Sequence, residues 1–266
     1  MSSSPDQVLG RDLKQYKGYT LSKREFVKTE NYTKMYELLS TLIDMEGNPE
    51  RIGLGYGNPG LGKTTALERL AKEFDALFVT IMESSTPSTI IKDIAEACGV
   101  SKDGKQQDVV KRIIATLIYE PRPLIVDEID RAIRADRIGI LENIRDIHDL
   151  AHIPVLFVGM DQVEAKLQRY KYLYDRIVVK KSFGATRGDD LDKFIDLCGI
   201  EDKDGFRPIK IKQDLRSYIV GKYRSVRAVK NILKLTELWC DANDVHEIDL
   251  ALYRQAKIEA KRHDKV

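Results

Sequence analysis

The sequence predicts an α/β fold, a parallel sheet flanked by helices, followed by a small helical domain. Three observations predict it. Short apolar runs alternate with helix-period stretches between residues 51 and 179, the pattern of strands joined by right-handed helical crossovers. Gly57-Asn58-Pro59-Gly60-Leu61-Gly62-Lys63-Thr64 is a complete G-x-x-x-x-G-K-[ST] loop set between a strand pattern and a helix pattern. After about residue 185 the strand signals stop and helical spacing takes over.

Each element follows in order. Residues 1–25 are polar and mixed and form an N-terminal extension. Tyr32, Met35, Tyr36, Leu38, Leu39, Leu42 and Ile43 mark one face of a helix over 31–45. Residues 51–56 read as the strand before the loop and 65–71 as the helix after it. Residues 76–81 are a strand, 88–98 a helix, and 106–119 a helix that stops before Pro121. Leu124-Ile125-Val126 is a short apolar strand ending in Asp127-Glu128. Then come a helix over 138–150, a strand over 154–159, a helix over 162–169 and a last strand over 176–179. Residues 184–188, rich in glycine, read as a hinge. Helices are expected over 190–197, 213–218, 226–240 and 248–260, with a loop at Asp204-Gly205 and Pro208 and no strong strand among them. Trp239 lies in an apolar helix pattern and reads as core. The expected division is 1–25, a nucleotide domain over 26–185, and a helical lid over 186–266.

Composition narrows the class. Of 266 residues, 42% are hydrophobic and 32% charged, which fits a soluble globular protein. The formal charge is only +2, so any basic surface must be local. Cys98, Cys198 and Cys240 are far apart and show no disulfide framework or metal spacing. His148, His152, His246 and His263 form no metal-ligand pattern and read as surface or capping residues. No apolar run approaches membrane-spanning length, and Met1-Ser2-Ser3-Ser4-Pro5-Asp6 lacks a charged-then-apolar signal, so a cytoplasmic, membrane-free protein is expected.

The glycine loop carries the chemistry. Gly57, Gly60 and Gly62 let consecutive N–H groups turn inward on phosphate oxygens, with Asn58, Pro59 and Leu61 between them. The following helix start, with Thr64 and Thr65, adds a favourable dipole. Lys63 is expected to reach the β- and γ-phosphates of ATP, and the Thr64 hydroxyl to ligate Mg2+. An acid at the carboxyl end of a sheet strand sits where such sheets bind ligands. Asp127 is therefore expected to hold Mg2+, and Glu128 to position the attacking water.

These motifs resemble those of AAA+ ATPases, and within them the phage Mu B transposition ATPase and its TnsC and TniB relatives. The resemblance rests on the 57–64 loop, on Leu124-Ile125-Val126-Asp127-Glu128-Ile129-Asp130, on Pro154-Val155-Leu156-Phe157-Val158-Gly159, and on Arg224-Ser225-Val226-Arg227-Ala228-Val229-Lys230-Asn231-Ile232-Leu233. It runs from about residue 26 to the C-terminus. It implies an ATPase that binds duplex DNA without sequence preference, assembles with itself as a helical filament or ring, and recruits or activates a transposase. It assigns Arg176 as the arginine supplied to a neighbour's nucleotide, with Lys180, Lys181 and Arg187 as competitors. It assigns Arg227, or else Arg224, as the lid arginine that reads the γ-phosphate. One position departs from the pattern: Gly159 is followed by Met160, a weak acceptor, and Asp161 comes one residue late. That implies slow, switch-like hydrolysis. DNA contact is expected at Lys102 and Lys105, in a loop between helices, and at Arg131, Arg134 and Arg137 after the acid pair. Lys257, Lys261, Arg262 and Lys265 read as a solvated basic helix end. The alternative is a nucleotide-gated scaffold or signalling module, or an initiator- or loader-type ATPase with no role in target selection.

Overall fold

A computed structural model describes residues 26–202 and 205–263. The 1–25 extension, Asp204, and the basic side chains of Lys261, Arg262 and Lys265 lie outside the described residues.

The chain forms two compact units. The first runs from Asn31 to Gly184. It opens with α1 (Glu30–Asp44), then β1 (Ile52–Gly57), α2 (Lys63–Glu73), β2 (Leu77–Thr80), α3 (Pro87–Ala97), α4 (Gln106–Tyr119) and β3 (Leu124–Asp127). It continues through α5 (Asp130–Arg134), α6 (Gly139–Ala151), β4 (Val155–Gly159), α7 (Val163–Leu167), α8 (Lys171–Tyr174) and β5 (Ile177–Phe183). The five strands form one sheet in the order β2-β3-β4-β1-β5, every pairing parallel. The expected α/β architecture with a parallel sheet flanked by helices is present.

Burial follows strand position. β3 and β4 are buried at every residue, and β1 at all but Tyr56, as expected for inner strands covered on both faces. β2 and β5 are edges and alternate buried with less buried positions. The strand expected over 176–179 in fact continues to Phe183. Lys180, Lys181 and Ser182 belong to an exposed edge, where polar residues and charges are tolerated and hide the strand. The helix expected over 162–169 is shorter, at Val163–Leu167, and α5 and α8 are short helices that carry too few turns to show a period.

α6 corrects one expectation. His148 is fully buried, not a surface residue. It shares the face of Ile140, Leu141, Ile144, Ile147 and Ala151, where helical spacing turns it inward. Its Nδ1 lies 2.6 Å from the Ile153 carbonyl oxygen, which satisfies a ring N–H there. His152 takes left-handed backbone as the C-cap of α6.

The second unit comprises, among the described residues, 26–30 and 185–263. Glu30 N–H donates to Asp190 Oδ2 at 2.8 Å, Arg187 pairs with the Glu30 carboxylate, and Val27 packs on the unit's apolar core. Its elements are α9 (Gly188–Asp196), β6 (Gly199–Asp202), β7 (Gly205–Pro208), β8 (Lys210–Ile211), α10 (Gln213–Lys222), α11 (Val226–Asn243), β9 (Glu247–Ile248) and α12 (Leu250–His263). The unit is mainly helical, but the expectation of no strand was wrong. β6 and β7 form an antiparallel hairpin, and β8 pairs with β9. The hairpin sequence is too short and too acidic to read as strands. It is pinned from outside itself: Glu237 Oε1 accepts the Gly199 N–H at 3.1 Å. Leu191, Leu215, Ile219, Val229, Leu233 and Ile248 fill the core. Trp239 is buried as expected, and its indole N–H donates to Glu259 at 2.7 Å. Among the described residues, no helix is long and apolar enough to cross a membrane.

Candidate active site

The loop Asn58–Leu61 leaves the carboxyl end of β1, an inner strand between β4 and β5. Gly60 and Gly62 have φ of 81° and 85°, left-handed backbone that a side chain resists. A Cβ at Gly57 would lie 2.5 Å from the Phe183 carbonyl oxygen, so β1 and β5 can approach there only because the residue is glycine. Leu61 is buried and anchors the loop, while Asn58 and Pro59 are exposed. Gly62 is the N-cap of α2 and offers no side chain to the first helical turn, where Thr64 and Thr65 are exposed. Those N–H groups are available to an anion.

Lys63 folds back over the loop. Its Nζ donates to the carbonyl oxygens of Gly57 and Asn58, at 2.5 Å and 2.8 Å. Burial pushes the ammonium below its ordinary value, while the carboxylates of Asp127, Glu128, Asp130 and Asp161 push the other way. Lys63 is thus the cation of an otherwise acidic pocket. A bound triphosphate offers it better acceptors than the two carbonyls do.

The acid pair lies opposite. Asp127 ends β3 and is 1% exposed. Its Oδ2 accepts the Thr64 hydroxyl at 2.8 Å and its Oδ1 accepts the Glu128 N–H at 2.8 Å. Burial raises the carboxyl, and the Thr64 and Glu128 donors, Lys63 and Arg131 oppose that rise. A hydroxyl and a carboxylate converging beside phosphate-binding N–H groups are oxygen donors of the kind that suit a hard divalent cation.

Glu128 follows in left-handed backbone, with φ of 61°. Its carboxylate is raised by burial and lowered by Arg131, whose Nε lies 3.4 Å from Oε2. Asp130 is buried at the start of α5, and its Oδ1 accepts the Met160 N–H at 3.1 Å. That bond ties the end of β4 to the turn after β3. The Met160 side chain is partly exposed, and Asp161, the next residue, is one of the carboxylates whose charge acts on Lys63. A buried acid three residues after a strand, as Asp130 is, has no sequence pattern of its own.

The remaining candidates lie elsewhere. Arg176 immediately precedes β5, whose Ile177 is level with Ile52 at the amino end of β1. Gly57 is five residues further on, about 16 Å along the strand. Arg176 therefore does not reach its own loop. Its Nη1 lies 3.3 Å from Asp149 and 3.7 Å from Glu50. Lys180 lies over the Tyr174 ring at 3.8 Å, and Lys181 is 3.5 Å from Glu37. Arg227 is exposed in the first turn of α11, and Arg224 donates to the carbonyl oxygens of Val220 and Tyr223.

Lys102 and Lys105 are both exposed before α4. Lys102 pairs with Glu96 at 2.7 Å, and Arg112 braces the loop through the carbonyl oxygens of Ser101 and Asp103. The three arginines after the acid pair are turned to a different task. Arg131 donates to Ile81 O at 3.0 Å, Arg134 pairs with Glu83 at 2.7 Å, and Arg137 donates to the carbonyl oxygens of Glu83 and Ser85. Together they grip the segment after β2. Arg131 and Arg134 lie three apart on α5 and share a face, whereas Arg137 lies beyond the end of that helix.

Fold and site together are those of a P-loop ATPase with the α/β fold of AAA+ proteins. Residues 46–167 match the family described as AAA domain. A protein of Staphylococcus aureus described as a potential ATP-binding protein is 26% identical over 198 residues, spanning 63% of this chain and 70% of that one. Among solved structures, the Aeropyrum pernix ORC2 protein in its ADPNP and ADP complexes matches with a TM-score of 0.67 at 18% identity, over 89% of this chain and 70% of that chain. The Aeropyrum pernix ORC1 protein in complex with DNA matches at 0.63 and 19% identity, over 91% of this chain and 69% of the other. Domain III of the Thermotoga maritima replication initiation protein DnaA matches at 0.56 and 14%, over 89% and 94%.

Proposed function

We propose that this protein is an ATP-dependent, sequence-tolerant DNA-binding ATPase that assembles on duplex DNA, as a helical filament, and recruits or activates a transposase. The observation that carries the assembly is the position of Arg176. An arginine at the amino end of β5 is of no use to its own phosphate loop but is displayed to a neighbouring copy. The transposase rests on the resemblance to the Mu B, TnsC and TniB ATPases, and the ORC1 neighbour is a structure in complex with DNA.

The reaction follows from the site. The 57–62 loop and the start of α2 hold the phosphates, and Lys63 exchanges its two carbonyl partners for β- and γ-phosphate oxygens. Thr64 and Asp127 would hold Mg2+, which would supply positive charge beside the phosphates. Glu128 orients the attacking water. Arg176 of the next subunit leaves Asp149 and Glu50 and stabilises the charge that develops, so turnover depends on assembly. On the resemblance alone, Arg227 reads the γ-phosphate. Lys102 and Lys105 contact DNA phosphates. The arginines Arg131, Arg134 and Arg137 are assigned instead to holding the segment after β2. Each subunit contributes few contacts, and repetition along the duplex multiplies them.

Fluorescence anisotropy of a random-sequence duplex tests the reading, with ATP, a non-hydrolysable analogue, ADP or no nucleotide. Salt-sensitive binding with ATP or the analogue alone supports it; no binding in any state removes DNA from the function. Lys63→Ala is expected to abolish ATP-dependent assembly and Glu128→Gln to trap it. A second reading, an initiator-type ATPase, is favoured by the extent of the likeness to the ORC proteins, 89–91% of this chain. It predicts preference for particular duplex sequences, which a parallel titration with several duplexes of defined sequence detects.

A further inference from the structure

Arg131 occupies a position that neither phosphate binding nor DNA contact explains. It lies in the first turn of α5, three residues after Glu128. Its guanidinium faces two targets at once. Nη1 donates to the Ile81 carbonyl oxygen, just past the end of β2, at 3.0 Å. Nε lies 3.4 Å from Glu128 Oε2. Both side chains are mostly covered, at 30% and 27% exposure. A planar, forked cation suits such a bridge, and a lysine would satisfy one end but not both.

Glu128 needs a holder. Its φ of 61° is a conformation that residues with a side chain rarely adopt, and strain of this kind persists at functional sites when the surroundings enforce it. The backbone is held by the Asp127 Oδ1 contact to Glu128 N–H and by Arg131 N–H donating to Glu128 O at 3.0 Å. The charged groups that act on its side chain are Arg131, Asp127, Asp130 and Lys63. Two of these are acids that repel the carboxylate. Lys63 is turned to the loop carbonyls. Arg131 is left as the group that defines where the carboxylate rests.

We infer that Arg131 is a positioning residue for hydrolysis: it bridges the end of β2 to Glu128 and fixes that carboxylate in the place from which it directs water. The inference rests on the assignment of Glu128 in the proposed reaction.

A double-mutant cycle on steady-state ATP hydrolysis, with Mg2+ and duplex DNA present, tests it. Arg131→Gln is expected to lower kcat about tenfold or more, as misplacement of a catalytic group does, with KM for ATP and the affinity for a fluorescent ATP analogue within about twofold of the wild type. Arg131→Lys recovers part of the rate. In a Glu128→Gln background, Arg131→Gln has no further effect, because the group it positions is gone. Arg137→Gln is the control for the segment: its effect on kcat persists at full size in that background. The inference is overturned if the Arg131 and Glu128 effects simply add, or if Arg131→Gln weakens nucleotide binding as much as it slows turnover. Normal turnover by Glu128→Gln alone removes the catalytic assignment itself and the inference with it. Thermal melts of each variant, within a few degrees of the wild type, establish that all compared chains are folded.

Discussion

Thr64 and Asp127 are 63 residues apart in the chain and joined by one 2.8 Å hydrogen bond. Thr64→Ala removes the hydroxyl and leaves a buried carboxylate with one donor fewer. The Mg2+ concentration needed for half-maximal turnover is expected to rise at least about tenfold, read from a metal titration at fixed ATP; an unchanged titration would take Thr64 out of the metal site. His148 gives a prediction of a different kind. Burial holds its ring below its ordinary value of 6.5, opposed by the Ile153 carbonyl, Asp149 and the Pro49 backbone and reinforced by Arg51. The unfolded chain takes up a proton near that ordinary value, and the folded chain only at lower pH. Stability from this residue is therefore complete above about pH 6.5 and is lost as pH falls below it. The wild-type Tm is expected to drop between pH 7 and pH 5 more steeply than that of His148→Gln, and parallel curves would show that the ring does not matter. The convergence of Lys63, Thr64 and Asp127 was legible beforehand, because loop and strand-end acid each sit in a fixed relation to a parallel sheet. The burial of His148 was not, because a single polar residue on an apolar face looks the same as one at its border.

At the scale of elements, α1 shows how close packing enters. Leu38 and Leu42 are fully buried, and a Cβ on Gly53 of β1 would come within 2.6 Å of Leu42 Cδ1. The helix lies tight on a strand that has no side chain at that point. Leu42→Ala is expected to cost about 2–5 kcal/mol, measured by urea denaturation, and a loss under about 1 kcal/mol would mean that α1 is loosely docked. The inner strands β1, β3 and β4 were readable as apolar runs, and α4 as a period that stops before Pro121. The far half of β5 and the β6–β7 hairpin were not. Their side chains face solvent on one or both sides, so the hydrophobic pattern that reports a strand is absent, and pairing with a neighbour decides their conformation. The three arginines of 131–137 make the same point for a site. Charge and spacing marked a basic cluster that suited DNA, but the carbonyl oxygens of Ile81, Glu83 and Ser85 claim its donors.

For the whole molecule, the proposed DNA contact predicts a dependence on salt. Lys102 and Lys105 are exposed, and the Lys102–Glu96 pair is a surface ion pair that a phosphate can displace. Replacing both lysines with alanine is expected to weaken duplex binding in the ATP state and to reduce the slope of log affinity against log salt by about one per lysine per subunit, while binding of an ATP analogue is unchanged. An unaltered slope would remove this loop from the interface. The sequence by itself determined the fold class, the places of the inner strands along the chain, and the residues that gather around a phosphate, because backbone period and a glycine-rich turn act locally and leave a pattern. Only the tertiary structure decided that Arg176 stands at the far end of the sheet from its own loop and that Arg131 bridges Ile81 and Glu128. Those facts depend on which strands lie side by side, and neighbours in a parallel sheet are brought together by crossovers tens of residues long that carry no record of the contact.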